Sequence, residues 1–119
     1  MIKGSCLCGG VTYELEEPLR DALACHCTQC RKTSGHYWSA TNVANQQFHI
    51  TKSETLKWYQ SSNEARRGFC GACGSSLFWQ RHGADNISIG AGTLDAPTGI
   101  TTSGHIYIDD KGDYYEIEG

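Results

Sequence analysis

The chain has 119 residues, 10 of them Lys or Arg and 13 Asp or Glu, giving a formal net charge of −3 at pH 7. This length predicts a single domain over residues 1–119. The isoelectric point near 5.9 disfavours a nucleic-acid-binding surface. No apolar run approaches the roughly 20 residues that cross a bilayer, so no membrane partner is expected. The first residues lack the apolar stretch of a secretory signal, which predicts a cytoplasmic protein with reduced cysteines.

The predicted apolar core is small for this length. Only 20 residues are Leu, Ile, Val or Phe. Small domains with modest cores commonly depend on metals or disulfides for stability. Seven cysteines are present, and an odd number in a reducing compartment cannot all be paired. The cysteines therefore indicate metal or thiol chemistry.

Short strands dominate the secondary structure that the sequence predicts. Fourteen glycines and two prolines are typical of a turn-rich β protein. Alternating apolar and polar residues predict strands at 11–15, 48–50, 56–59, 76–79, 86–89 and 105–108. One short helix is predicted from Thr28 to Ser34. The expected fold class is mainly β, with at most short helical turns.

The seven cysteines fall into three groups along the chain. The groups are Cys6 with Cys8, Cys25 with Cys27 and Cys30, and Cys70 with Cys73. A structural zinc takes four protein ligands, whereas a catalytic zinc keeps three and leaves one position open. The CxxC-Gly form of the last group is typical of a zinc knuckle, and the i, i+2 spacing of the first puts both sulfurs on one side of an extended segment. These two groups together predict a closed four-thiolate zinc site.

The middle group predicts a second, open zinc site. Cys25, Cys27 and Cys30 lie within six residues, so one segment can present three thiolates to one metal. His36 is near enough to be an alternative fourth ligand, whereas His26 would point away from an extended backbone. An open three-thiolate zinc can hold an incoming thiol as a nucleophilic thiolate, whose simplest targets are small aldehydes. We therefore expect these three cysteines to hold the catalytic metal.

Two other interpretations of the cysteines remain open at this point. Cys70 and Cys73 could be a redox pair, although the βαβ pattern of that class is missing. A single zinc ribbon could instead combine the middle group with Cys70 and Cys73, leaving Cys6 and Cys8 without a role.

Two basic pairs are candidates for binding the carboxylates of a thiol substrate such as glutathione. Arg31 and Lys32 directly follow the middle cysteine group, and Arg66 and Arg67 precede the knuckle. Arg binds carboxylates through two parallel hydrogen bonds and Lys as a point charge. Arg31 is favoured because it adjoins the predicted metal. Arg66 and Arg67 are explained equally well as solvated charges.

Three segments resemble the glutathione-dependent formaldehyde-activating enzyme family, which includes centromere protein V. They are GSCLCGGVTY at 4–13, CHCTQCRKTSG at 25–35 and FCGACGSSL at 69–77. The resemblance implies a β-tent-like fold of layered antiparallel sheets with two zincs per chain. Carried over residue by residue, it implies a structural site of Cys6, Cys8, Cys70 and Cys73, and a catalytic site of Cys25, Cys27 and Cys30.

The resemblance also implies a reaction. Family members join glutathione and formaldehyde as S-(hydroxymethyl)glutathione, a carbon–sulfur bond reaction classed with the lyases. Fold-level likeness alone does not fix a substrate. Two alternatives from other classes therefore stay open: a non-catalytic zinc-binding interaction module, and a thiol or metal sensor. The sequence does not indicate an oligomeric state.

Overall fold

The computed structural model of the protein describes residues 1–118, which form ten strands and one α-helix. The strands are β1 (Ile2–Ser5), β2 (Val11–Leu15), β3 (Ala22–Cys25), β4 (Trp38–Ala44), β5 (Phe48–Ser53), β6 (Leu56–Gln60), β7 (Ala65–Cys70), β8 (Ser76–Arg81), β9 (Asn86–Gly90) and β10 (Thr102–Ile106). Helix α1 (Thr28–Ser34) lies between β3 and β4, and three short 3₁₀ turns complete the described elements. In this part of the chain, no helix combines the length and apolar character that a bilayer crossing requires.

The strands form two sheets that pack face to face. The smaller sheet has the order β1-β2-β5, and the larger has the order β10-β3-β4-β9-β8-β7-β6. Alternation along β2 directs Val11, Tyr13 and Leu15 inward, where all three are buried. They pack against Phe78 and Ile89 of the larger sheet, and the rings of Tyr13 and Phe78 meet edge to face at 5.4 Å. The main core is therefore the space between the two sheets.

A second, smaller apolar cluster covers the other face of the larger sheet. It contains Trp38 and Ala40 of β4, Cys30 of α1 and the half-buried Trp79 of β8. Because side chains alternate across a strand, β4 and β8 contribute to both clusters. The larger sheet is thus the middle layer, with the smaller sheet on one side and α1 on the other.

The mainly β class and the short helix at Thr28–Ser34 are confirmed, but the strand pattern was predicted incompletely. Strands β1, β3, β4 and β7 were not predicted. The strand predicted at 105–108 is instead β10, which ends at Ile106, because Tyr107 adopts a left-handed conformation with φ of 55°.

One strand pairing departs from the antiparallel sheets that the family resemblance implies. Strand β10 pairs with β3 in parallel, with Ile106 opposite Cys25. A parallel pairing requires a long crossover between the two strands. The chain from β4 to β9 supplies that crossover, and all other pairings within residues 1–118 are antiparallel.

Gly4 of β1 is closely packed, and a substitution there tests whether this packing stabilises the smaller sheet. A Cβ at Gly4 would overlap the ring of Tyr13 and lie 2.7 Å from the backbone oxygen of Thr93. Neither a buried ring nor a backbone carbonyl moves aside easily, so Gly4→Ala should lower the free energy of unfolding by about 1–3 kcal/mol. Urea unfolding measures the change. Gly92→Ala is the control, because its added Cβ meets nothing within 4 Å, and equal effects of the two substitutions would contradict this explanation.

Candidate active site

Four cysteine sulfurs converge at one end of strands β1 and β7. The four-cysteine site comprises Cys6, Cys8, Cys70 and Cys73, whose Sγ atoms all lie within 4.8 Å of one another. The Sγ atoms of Cys6 and Cys8 are 3.7 Å apart, and those of Cys8 and Cys70 are 3.6 Å apart. These separations are too long for disulfides. Tetrahedral zinc with zinc–sulfur bonds of about 2.3 Å places its sulfurs about 3.8 Å apart, so the donor set fits zinc.

Backbone and side-chain donors surround these sulfurs. The amides of Ala72 and Cys73 each donate to Cys70 Sγ at 3.3 Å, and the Thr55 hydroxyl lies 3.1 Å from the same atom. The amide of Val11 donates to Cys6 Sγ at 3.3 Å. Hydrogen bonds to sulfur stabilise the thiolate form that metals bind. The surrounding chain therefore provides hydrogen-bond donors that stabilise Cys6 and Cys70 as thiolates.

The sulfurs of the four-cysteine site differ in acidity. The hydrogen bond from the Ser75 hydroxyl is the largest cause that lowers the pKa of Cys73 to about 5. The backbone of Gly10 acts to lower the pKa of Cys8, but hydrogen bonds with the neighbouring thiols outweigh it and raise that pKa to about 11. A metal that binds all four sulfurs requires each of them as a thiolate, so its binding is linked to loss of the proton that the raised pKa favours on Cys8.

The three-cysteine site, Cys25, Cys27 and Cys30, lies on the opposite face of the larger sheet. Cys25 ends β3, Cys27 caps the N-terminus of α1, and Cys30 lies in the first turn of α1. The Cys30 amide donates to Cys27 Sγ at 3.4 Å, which satisfies one of the free amides at the helix start. Gly35, in a left-handed conformation with φ of 87°, ends the helix. The strand end and the single helical turn bring all three Sγ atoms within 4.8 Å of one another.

Hydrogen bonding within this site separates the acidities of its thiols. The hydrogen bond from Cys25, followed by the Arg67 guanidinium, lowers the pKa of Cys30 to about 6. The same interaction with Cys30, followed by burial, raises the pKa of Cys25. The guanidinium of Arg67 therefore favours the thiolate form of Cys30. Three soft sulfur donors with this arrangement fit an open zinc site.

The three-cysteine site opens into a cavity of about 520 Å³. The indoles of Trp38 and Trp79 contribute apolar surface to it. Glu64 and Arg81, also in the lining, form an ion pair at 3.5 Å between exposed side chains. Small-molecule sites commonly occupy about 300–1,000 Å³. The cavity is therefore large enough for a substrate well beyond the size of formaldehyde.

Arg67 is the buried charged residue of the cavity. Its side chain is 6% exposed. Its Nη2 donates to Cys30 Sγ at 3.5 Å and its Nε to Gln29 Oε1 at 3.3 Å. Its Nη1 has no hydrogen-bond partner among residues 1–118. A buried guanidinium with an unpaired donor is costly, so it calls for a functional explanation.

The other basic residues that the sequence suggested as carboxylate contacts do not line the cavity. Arg31 and Lys32 follow the three-cysteine site on α1, as the sequence requires, but neither is among the residues that line the cavity. Arg31 Nε is buried without a hydrogen-bond partner within the described chain. Arg66 lies over the ring of Trp58 at 3.8 Å, on the face of β7 opposite to Arg67. Sequence reasoning did not separate Arg66 from Arg67, because β7 itself was not predicted.

The histidines near the three-cysteine site have other partners. His26 is 1% exposed, with Nδ1 2.5 Å from Tyr115 Oη and Nε2 2.9 Å from His105 Nδ1. This agrees with the expectation that His26 points away from the cysteines. His36 packs against the rings of Tyr37 and Tyr115 at 4.4 and 4.3 Å. Within residues 1–118, neither histidine joins a metal-capable group, so the structure does not support His36 as a fourth ligand.

The separation of the two sites also resolves the alternatives for the cysteines. Cys70 and Cys73 lie with Cys6 and Cys8, so the single-ribbon interpretation is wrong. All seven thiols are free, and the Cys70–Cys73 pair is part of a four-sulfur cluster rather than an isolated redox pair. The division of the cysteines into groups of four and three matches the sequence prediction. Both groups could hold a metal ion.

Two known proteins and one crystal structure are similar to this chain over most of its length. An uncharacterized lyase of Schizosaccharomyces pombe is 31% identical over 118 residues, covering 97% of this chain and 84% of that protein. A Halomonas elongata protein, provisionally named glutathione-dependent formaldehyde-activating enzyme, is 26% identical over 132 residues, covering 99% of this chain and 82% of its own. A crystal structure of a Rhodobacter sphaeroides protein superposes with a TM-score of 0.70 at 26% identity, covering 87% of this chain and 98% of that chain.

A sequence model of one protein family matches almost the whole chain. The match runs over residues 1–110 and therefore includes both cysteine sites and the strands that carry them. The family is described as glutathione-dependent formaldehyde-activating enzyme. Together with the S. pombe relative, this match shows that the chain belongs to the glutathione-dependent formaldehyde-activating enzyme family.

Proposed function

We propose that the protein is a zinc-dependent carbon–sulfur lyase that forms and cleaves thiol–aldehyde adducts. The proposed substrates are glutathione and formaldehyde, and the product is S-(hydroxymethyl)glutathione. The observation that carries this proposal is a three-cysteine site that opens into a cavity of about 520 Å³. The names of the family and of the relatives support the same chemistry.

Two zincs per chain are proposed, with different roles. In the four-cysteine site, zinc would join the turn after β1 to the turn after β7, and so hold the smaller sheet against the larger. In the three-cysteine site, zinc would be held by Cys25, Cys27 and Cys30 with a fourth position open to substrate. When bound there, it supplies a Lewis-acidic position that stabilises a substrate thiol as its thiolate.

The side chains that line the cavity are proposed to exclude water and to bind the carboxylates of the substrate. Trp38 and Trp79 exclude water from one side of the reacting groups, which strengthens electrostatic interactions there. The carboxylates of glutathione would reach the exposed arginines that line the cavity, Arg20 and Arg81. Arg31 and Lys32 remain proposed carboxylate contacts only for a substrate that extends out of the cavity along α1. We also propose a cytoplasmic location, where the cysteines would stay reduced and able to bind metal.

Turnover is measurable at equilibrium, where the spontaneous reaction also runs. Two-dimensional exchange NMR of formaldehyde, glutathione and the zinc-loaded protein reports the rate of adduct formation and cleavage. We expect the exchange rate to rise in proportion to protein concentration, and Cys27→Ser to remove the increase. Glutathione binding without acceleration would contradict the enzyme proposal and support a thiol sensor. Absence of both binding and acceleration would support a non-catalytic interaction module.

A further inference from the structure

The unpaired donor of Arg67 is the feature of the cavity that the proposed function leaves unexplained. Its guanidinium is almost fully buried, and two of its three nitrogens are engaged, Nε by Gln29 and Nη2 by Cys30 Sγ. Gln29 is itself held by the backbone oxygen of Ser61 at 3.1 Å, which fixes the direction of the guanidinium plane. Nη1 is buried and without a partner in the described chain. Arg67 also lines the cavity, so a small movement of its side chain would present this unused donor to an oxygen atom that arrives with a ligand.

The other cationic groups of the cavity are already engaged or exposed. Arg20 is exposed, and its Nη2 donates to the Ala40 carbonyl at 2.9 Å. Arg81 is paired with Glu64 at 3.5 Å, and both side chains are mostly exposed. Solvent screening makes such exposed charges weak contributors to binding. Arg67 is therefore the cation placed to act on the reacting atoms.

We propose that Arg67 binds, through its guanidinium, the aldehyde oxygen that becomes negatively charged when the thiolate adds to the carbonyl carbon. This inference rests on the proposed function. In the addition, the sulfur lone pair forms the carbon–sulfur bond while the π pair of the carbonyl moves to oxygen. The alkoxide then takes up the proton that the thiol released, so the product is the hydroxymethyl thioether. Cleavage is the same sequence reversed.

The position of Arg67 favours the aldehyde oxygen over a distant carboxylate of glutathione. Nη2 contacts Cys30 Sγ, a proposed metal ligand, so the small planar guanidinium lies next to the three-cysteine site where substrate sulfur would bind. The aldehyde oxygen is two bonds from that sulfur, whereas the carboxylates of glutathione are several bonds further along the peptide. Thiolates also give the site negative charge that would oppose an alkoxide. A buried cation at this position offsets that repulsion.

A pair of small thiols tests the proposal without relying on turnover. Mercaptoacetate carries an anionic oxygen close to its sulfur, and ethanethiol of similar size does not. Calorimetric titration of each thiol into zinc-loaded protein gives the ratio of their affinities. The wild type should prefer mercaptoacetate, and Arg67→Gln should reduce that preference about tenfold while changing ethanethiol affinity little. Arg66→Gln is the matched control and should keep the preference, because Arg66 lies on the other face of β7.

Kinetics on the same variants give a second readout. Arg67→Gln should lower kcat about 100-fold with the affinity for glutathione nearly unchanged, since the oxygen becomes charged only during addition. If Arg67→Gln fails to fold or loses zinc, Arg67→Met provides the test, because it keeps an unbranched side chain of similar bulk but loses the charge and every donor. Equal preference for mercaptoacetate in wild type and the folded variant would overturn the role of Arg67. Failure of both thiols to bind the wild type would instead overturn the proposed function.

Discussion

Cys70→Ser is expected to abolish the cooperative native fold. Cys70 is fully buried at the end of β7, and its sulfur receives the amides of Ala72 and Cys73 as well as the Thr55 hydroxyl. Structural zinc binds with an apparent free energy of about 10–16 kcal/mol in small domains. This is of the same order as the whole stability of a domain, about 5–15 kcal/mol. A serine hydroxyl is a poor replacement for a thiolate, so the loss of zinc here should exceed the stability that the small core provides.

Near-ultraviolet circular dichroism reports the tertiary structure of this variant, and elemental analysis of the soluble protein reports its bound zinc. The expected result is loss of tertiary signal and of bound zinc from the four-cysteine site. Cys8→Ser provides a second variant of the same site, because Cys8 is exposed and its replacement disturbs packing least. A cooperative unfolding transition at the wild-type midpoint in both variants would contradict a structural role for the metal.

Cys27→Ser is expected to remove activity while leaving the fold largely intact. Cys27 is the N-cap of α1, and serine is also a favoured N-cap, so the helix start should be preserved at a cost below about 1 kcal/mol. The three-cysteine site lies outside the main core, on the opposite face of the larger sheet. We therefore expect activity to fall by more than about 100-fold and the three-cysteine site to lose its metal.

Thr33→Ala, in the second turn of α1, is the control for local disturbance. Thr33 offers no thiolate and is not among the residues that line the cavity, so this variant should keep both the metal and the activity. Urea unfolding of Cys27→Ser and Thr33→Ala should give similar midpoints near that of the wild type. Unfolding of Cys27→Ser to the same extent as Cys70→Ser would show that the two sites do not have separate roles.

The cysteine sites were predictable because their signals are local in sequence. Spacing within each group fixes which sulfurs share a side of a strand or a helical turn, and the count of seven divides into four and three. The helix at Thr28–Ser34 and the strands around Tyr13 and Phe78 follow from local patterns in the same way. These features needed no knowledge of long-range pairing.

The features that were missed depend on contacts far apart in sequence. Strand β7 begins with Ala-Arg-Arg-Gly, which has no apolar alternation, and it forms because β6 and β8 pair with it on both sides. Only that pairing sends Arg66 to one face and Arg67 to the other. The parallel pairing of β10 with β3 joins segments about eighty residues apart, and no local pattern indicates it.

Zinc per chain is the measurement that tests the central claim most directly. Elemental analysis of wild type and Cys27→Ser, purified under reducing conditions without chelators, gives the stoichiometry of each. The proposed division of sites predicts two zincs in the wild type and one in Cys27→Ser. One zinc in both proteins would show that the three-cysteine site does not hold a resident metal, and it would contradict the proposed mechanism.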